Sequence, residues 1–449
     1  MYDWFFNYWG VILFYVAVSI LVYVNRKKFE FEGIVALYRT KMGIRAMEAF
    51  VKPVSEKRQL IGIYLYNIGL YIAIIASLSF IYTYFSNINL DTLSIVSFFL
   101  VGFGTLLICI SIIWFGQLEK ASILGIWVGF IGMVIIIAMV VYGIIQLFDP
   151  SAPPLFTPVI PGFQIPGGPR IPLVQGLLAL FIVVLIHEFS HGIVSKLHKI
   201  KIKSSGFAML GPIPAAFVEP DQKKLEKAPR KIQMAMYAAG PFSNVLLAIL
   251  IAIVINVFAI ISLTTYMPSG LIINEANNTL LPGDILTEVN GNQIRTINDL
   301  QILMQNTTPG QQLNITTLNE VKQINLLQNP FNESRGYLGV VIEQRISSQN
   351  HFMETIKPVY FWIFGNPYGT GFDSSLGLLG WIFALSLGIG LVNLLPIGPV
   401  DGGRMFYLTL TNYLKEKTAL QIWTKTSLLL VVIIVLLIFV PIIRNLFNI

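Results

Sequence analysis

The sequence predicts a polytopic α-helical membrane protein of about eight transmembrane helices, with a small α+β domain inserted between the sixth and the seventh. Three observations predict it. Hydrophobic residues make up 55% of the 449 and charged residues only 12%, whereas soluble domains carry about 25% charged residues. The apolar residues gather into runs near or above the ~20 needed to cross the hydrocarbon core. Those runs, at 8–24, 60–84, 91–115, 121–147, 174–196, 239–264, 376–394 and 424–443, are separated by polar or broken segments, and the longest of these, 265–375, carries strand and turn patterning.

Taking the segments in order, the first run lacks a basic start and a small-residue cleavage site, so a retained span is expected there rather than a signal peptide. Nine basic residues lie between Arg26 and Arg58. This stretch is amphipathic in places, as in Met42–Phe50, and is expected on the cytoplasmic membrane surface. The N-terminus is then outside. Counting forward, 197–238 falls inside, and its Lys199, Lys201, Lys203, Lys223, Lys224, Lys227, Arg230 and Lys231 agree with that side. The segment 265–375 and the C-terminus fall outside. Four Asn-Xaa-Ser/Thr sequons, at Asn277, Asn306, Asn314 and Asn332, fit a translocated segment. The net charge of +7 is thus topological information for a multi-pass protein of the cell membrane, and no nucleic-acid partner is expected. The single cysteine, Cys109, cannot form an internal disulfide and reads as a buried small hydrophobe.

Residues 148–172 are rich in Pro and Gly and read as an extracytoplasmic linker. Residues 206–220 are apolar but broken by Gly206, Gly211, Pro212 and Pro214. They fit either a re-entrant hairpin covered by protein at membrane depth or an ordinary cytoplasmic loop. Residues 267–346 read as a small soluble domain. Leu313–Leu318 alternates as a strand does, Asn290-Gly291 is a hairpin turn, and Asp299–Gln305 suits a short helix.

The chemistry is concentrated in His187-Glu188-Phe189-Ser190-His191. Histidines four apart lie on one face of a helix, one turn apart, so two ring nitrogens can reach one metal ion. The intervening Glu188 is placed to act as general base on a zinc-bound water, whose pKa the ion lowers to about 7. The motif sits inside an apolar helix, where ionisable groups cost roughly 2.5–3.5 kcal/mol each and mark function by default. A polar cluster that glues helices together is the plainer alternative. A zinc site needs a third protein ligand. His198 lies at the basic end of the span and His351 in the outside segment, so an intramembrane carboxylate is the better candidate. Asp401 follows the seventh run closely, and Gly402 and Gly403 permit close backbone approach. By itself Asp401 equally suits a helix N-cap; beside the histidines it reads as a ligand at their depth.

These residues resemble the site-2 protease family of intramembrane zinc metalloproteases. HEFSH at 187–191, Gly240-Pro241-Phe242-Ser243-Asn244 and Asn393…Pro396…Asp401-Gly402-Gly403 match in order over roughly 172–449. The resemblance implies His187, His191 and Asp401 as zinc ligands and Glu188 as the base. It implies Asn393, with Asn244, as substrate-binding groups, with interhelical hydrogen bonding as the competing role for both. Val400 stands where the family usually has Leu, and the four N-terminal spans lack a counterpart in the minimal family pattern. The outside domain is similar to PDZ domains, with Gly336–Val340 as the loop that captures a peptide terminus; a filter that blocks bulky substrates is the other role.

The expected organisation is a four-span accessory region (1–150), a first catalytic half (151–265), the PDZ-like domain (266–347) and a second catalytic half (348–449). The implied activity is zinc-dependent endopeptidase cleavage of transmembrane protein substrates, as in regulated intramembrane proteolysis. The rival classes are a membrane metal transporter, which has no need of Glu188, and an inactive membrane scaffold, which would have lost a ligand or the base.

Overall fold

A computed structural model of the protein describes residues 2–33, 35–41, 43–85, 91–149, 152, 154–275, 279–330, 332–368 and 375–447. The chain forms two compact units, Met1–Val254 with Gly380–Ile449, and Ile255–Leu379. It is mostly helical. Among the described residues six helices are long and apolar enough to cross a membrane: Glu56–Ser79, Val96–Phe115, Leu118–Gln146, Leu173–Leu197, Arg230–Thr265 and Glu416–Arg444. Two shorter apolar helices, Tyr8–Val24 and Leu378–Val392, lie where the first and seventh runs were expected.

In the first unit the chain runs through α1 (Tyr2–Val24), strands β1 (Glu30–Glu32) and β2 (Val35–Thr40), and a short helix α2 (Ile44–Phe50). Helices α3 (Glu56–Phe85), α4 (Asp91–Phe115) and α5 (Leu118–Gln146) follow. Small residues let α3 and α4 meet closely: a Cβ on Gly69 would sit 2.6 Å from the Gly104 carbonyl oxygen, and one on Gly104 2.5 Å from that of Gly69. After an irregular stretch come α6 (Leu173–Leu197), β3 (Ile202–Leu210), β4 (Ile213–Pro220), α7 (Gln222–Lys227) and α8 (Arg230–Thr265). Pro172 fixes the extended backbone ahead of α6, and the last turn carries Lys196, the sign the helix dipole favours there.

Residues 206–220, left between a re-entrant hairpin and a loop by the sequence, form the β3–β4 hairpin, turning at Gly211 with φ +58°. The structure adds a feature the pattern did not suggest. Strands β1 and β2 join this hairpin in one antiparallel sheet of order β1-β2-β3-β4, with Val35 opposite Leu210 and Thr40 opposite Ser205. The segments following α1 and α6 therefore lie on the same side of the unit. Nor is α2 only a surface helix. Met47 is 2% exposed and lies over Gly192 of α6, where a Cβ would come within 2.3 Å of its sulfur. Phe50 meets Phe189 edge-on at 5.7 Å, and Lys196 pairs with Glu48. Met42, at the start of the expected amphipathic stretch, lies outside the described residues.

The second unit holds a mixed-length antiparallel sheet built from β5 (Met267–Glu275), β6 (Ile285–Val289), β7 (Asn292–Gln293), β8 (Gln312–Thr317), β9 (Val321–Asn325) and β12 (Val341–Ser347). Its order is β12-β5-β6-β8-β9, with β7 on β6. A ribbon of β10 (Leu327–Asn329) and β11 (Asn332–Tyr337), helix α9 (Ile297–Met304) and helix α10 (His351–Phe364) complete it. Asn290-Gly291 makes the β6–β7 turn, and Thr296 with Asp299 forms a reciprocal cap on α9. Leu271, Ile273, Leu286, Leu313 and Ile315 are fully buried at its centre. Of the sequons, Asn277 lies outside the described residues.

The chain returns to the first unit with α11 (Leu378–Val392), α12 (Asp401–Tyr413) and α13 (Glu416–Phe447). One core joins them to α5 and α8 through Met133, Ile136, Ala238, Leu394, Met405 and Leu437. Packing of α2 on α6, and of α5 on α6 and α13, places the described residues before and after 150 in one unit.

Candidate metal centre

Helix α6 presents His187 and His191 one turn apart, with ring centroids 5.0 Å apart. The first turn of α12 supplies Asp401. Its Oδ2 lies 3.2 Å from His187 Nε2 and 3.4 Å from His191 Nε2. The three groups form the described His/Cys/Asp/Glu cluster able to hold one metal ion, with ligand atoms within 4.8 Å of one another. A tetrahedral ion with bonds of about 2.0–2.1 Å needs ligand atoms about 3.3 Å apart, so the spacing suits one.

Each imidazole is oriented from behind. His191 Nδ1–H donates to the Met236 carbonyl oxygen of α8 at 2.8 Å, which leaves Nε2 as the bare ligand nitrogen. His187 Nδ1 faces the Asn244 amide at 3.2 Å, and the amide oxygen is buried with no partner. Amide nitrogen and oxygen are distinguished by their partners. With the oxygen toward Nδ1, it accepts from His187 and Nε2 is again bare. Asn244 is fully buried, and its main-chain carbonyl oxygen accepts from Ser386 Oγ of α11 at 2.9 Å.

Helix α8 can come this close because residue 240 is glycine. A Cβ there would lie 2.4 Å from His187 Nε2 and 2.5 Å from His191 Nε2. The space that alanine would fill is the space between the two ligand nitrogens. That cradle, together with two imidazoles and a carboxylate as donors, fits zinc.

Asp401 is the first residue of α12 and not its N-cap, which is Val400. The glycines after it act as expected. A Cβ on Gly402 would meet the Leu394 carbonyl at 2.3 Å and one on Gly403 the Ile397 oxygen at 1.8 Å. Gly402 N–H donates to Asn393 O at 2.7 Å, and Trp423 Nε1–H donates to Gly403 O at 2.8 Å. These contacts hold the start of α12 against the turn before it and so fix the carboxylate.

Glu188 meets β4, where the Val218 N–H donates to its Oε2 at 3.1 Å. It borders a cavity of about 860 Å³ walled by apolar side chains, among them Phe50, Leu185, Phe189, Phe217 and Leu247, with Cys109 also on its wall. Asn393, just past the end of α11, donates from Nδ2 to Ile389 O of that helix at 2.9 Å, while its main-chain oxygen accepts from Gly402 N–H beside Asp401. The sequence marked Gly240 only as part of the segment matching the family, without its role between the histidines, and it held no signal of the Met236 carbonyl or the Val218 amide.

The model of peptidase family M50 matches residues 175–437, more than half of the chain. The chain belongs to peptidase family M50. M50 peptidases are the site-2 protease family and are metalloproteases, so membership, with the apolar helices, makes this a multi-pass membrane protein of a peptidase family. The M50 match contains the histidine motif, the Gly240–Asn244 segment and Asp401. An uncharacterized protein of Methanocaldococcus jannaschii is 29% identical over 240 residues, which is 52% of this chain and 57% of that protein. The similarity thus spans little more than half the length of that relative.

Proposed function

We propose that the protein is a zinc-dependent intramembrane endopeptidase that cleaves apolar transmembrane segments of membrane proteins. One observation carries the reading: His187, His191 and Asp401 converge on one point, while Glu188, between the two histidines in sequence, opens on an apolar cavity beside a strand edge. His187, His191 and Asp401 would hold the zinc. When bound, it supplies a water of pKa about 7 and a Lewis acid for the scissile carbonyl. Glu188 accepts the proton of the attacking water and passes it to the leaving amine as the C–N bond breaks. Met236 O and Asn244 hold the imidazoles in the liganding tautomer, so Asn244 acts behind His187. For Asn393 a contact with the substrate backbone remains part of the proposal.

A helical substrate hides its carbonyls in its own hydrogen bonds and must first unwind. The extended segment would then add to the open edge of β4. The apolar cavity suits the side chains of a membrane span and excludes bulk water. In the second unit, β12 is an edge strand, and Gly336–Val340, expected as a loop, ends β11 and leads into β12, a placement that suits PDZ-type capture of a peptide terminus. The shared side of the segments after α1 and α6 fits the even number of crossings expected between them; eight spans, with both termini and the second unit extracytoplasmic, are part of the proposal on the charge pattern of the loops. The substrates would be single-span proteins already trimmed outside.

The test is zinc content and cleavage in purified protein. The parent should hold about one zinc per chain, and His187→Ala and Asp401→Ala should lose it. Glu188→Gln should keep zinc but not cleave a single-span reporter helix interrupted by Asn-Gly. Full zinc in Asp401→Ala would remove it from the ligand set. Equal cleavage by the parent and Glu188→Gln would refute the mechanism.

A further inference from the structure

The outer edge of β4 is unlike an ordinary strand edge. In the register Leu210–Ile213, Ala208–Ala215 and Gly206–Phe217, alternate residues of β4 point their backbone groups toward β3. The others, 214, 216, 218 and 220, point them away. Two of those four are Pro214 and Pro220, which have no N–H to offer. A strand added to this edge therefore has two donors at most, Ala216 and Val218. One of them is already engaged, because Val218 N–H donates to Glu188 Oε2 at 3.1 Å. Strand β4 packs along α6, and Ala216, Phe217, Val218 and Glu188 border the same cavity.

The geometry points to a latch: the Val218 amide holds Glu188 and closes the β4 edge against α6, and an incoming substrate strand releases both by taking the Val218 N–H for its own carbonyl. This rests on the reading of Glu188 as the general base. Val218 is a positioning residue here, acting through its backbone. Carboxylate and substrate compete for one donor, so the base is engaged until an extended chain lies on the edge. The exchange breaks one hydrogen bond and makes another, so the barrier to opening need not include an unpaired buried donor. The two prolines limit pairing to the Ala216–Val218 window and so fix the register of the substrate against Glu188. Apolar segments that unwind into a strand would be engaged; those that stay helical would not.

The competition has a signature that a merely structural contact lacks. The probe is a dye-labelled eight-residue Val/Ala/Leu peptide whose central amide is reduced so that it cannot be hydrolysed. Its binding to full-length, zinc-loaded protein in detergent is followed by fluorescence anisotropy. Removing the competitor with Glu188→Ala should tighten binding by about twofold to tenfold, the worth of one net hydrogen bond. Removing the donor with Val218→Pro, or its neighbour with Ala216→Pro, should weaken binding by a similar factor. Both prolines occupy outward positions, where no bond to β3 is lost, and retained zinc content checks that the fold survives. Unchanged or weaker binding by Glu188→Ala would overturn the latch, as would an absence of peptide binding by every protein. The protease reading fails separately, through absent cleavage of the reporter helix; tighter binding by Glu188→Ala would then leave the competition of Glu188 and peptide for the Val218 amide standing, without its role in catalysis.

Discussion

Gly240→Ala is the sharpest single perturbation of the metal centre, because it adds one carbon atom at a known place. The new Cβ would lie 2.4 Å from His187 Nε2, 2.5 Å from its Cε1 and 2.5 Å from His191 Nε2. Ordinary Cβ contacts begin near 3.4 Å, so each ring must withdraw by about 1 Å or α8 must back away from α6. Zinc–nitrogen bonds hold within about 0.2 Å of their ideal length. The displacement is several times that tolerance, and loss of apparent zinc affinity by at least a factor of about 100 is expected, the upper end of what disturbing an outer partner costs. The helix itself gains, since alanine is favoured over glycine by roughly 1 kcal/mol in a helix interior. Loss of metal would therefore not reflect an unravelled α8. The assay is competition against a chromophoric zinc chelator, with thermal unfolding in parallel. Gly388→Ala is the control, because nothing lies within 4 Å of its added Cβ. Zinc affinity of Gly240→Ala within twofold of the parent would refute the geometry of the cradle.

Two further outcomes follow from groups around and away from the site. Asn244→Ala leaves His187 Nδ1 without its partner and the ring free to turn, so zinc affinity should fall about 10–100-fold in the same chelator assay; an unchanged affinity would make Asn244 a packing residue only. In the second unit, the Lys322 ammonium donates to Asp284 Oδ2 at 2.7 Å and holds that carboxyl below its usual value of 3.8, with the Leu281 N–H adding to the effect. A depressed carboxyl contributes stability above its unfolded pKa and loses it as pH falls through the folded one. The free energy of amide opening in β6 and β9, taken from exchange rates corrected for the intrinsic rate at each pH, should therefore fall as the pH is lowered through 3.8 and below, and Asp284→Asn should remove that part of the pH dependence. Parallel pH profiles for parent and variant would show that the pair contributes nothing.

The two histidines and Asp401 were legible because their chemistry is costly where they stand. Ionisable side chains within an apolar run need a reason, and i, i+4 spacing supplies a geometry. The six long helices were legible for the same reason in reverse, since a span must be apolar throughout. What stayed hidden depends on backbone groups, which are the same in every residue. The Met236 carbonyl on His191 and the Val218 N–H on Glu188 carry no mark in the sequence. Gly240 was visible as a residue but not as a role, because a missing Cβ has meaning only once the helix it faces is known. Strands β1 and β2 were hidden because two short strands flanked by basic residues show the same charge pattern as a membrane-surface segment.

Those two strands bear on what the N-terminal region contributes. The M50 match begins at residue 175, and by itself the β3–β4 hairpin would be a two-stranded ribbon, which is marginal without further support. β1 and β2 extend it to four strands, and Arg39 of β2 ties the sheet across its width. Its Nε donates to Glu30 at 2.6 Å, its Nη2 to Glu32 at 2.6 Å and its Nη1 to Ser204 at 3.0 Å, and it pairs with Glu219 of β4. Glu219 is the residue after Val218. A guanidinium has a fixed planar fork, so fixing Glu219 fixes the direction of the neighbouring amide that meets Glu188. A residue outside the matched region thus sets the position of a group beside the candidate base. On this argument the first forty residues are part of the site's support, and a chain cut back to the matched region would keep its ligands while losing the strands that hold β4 in place.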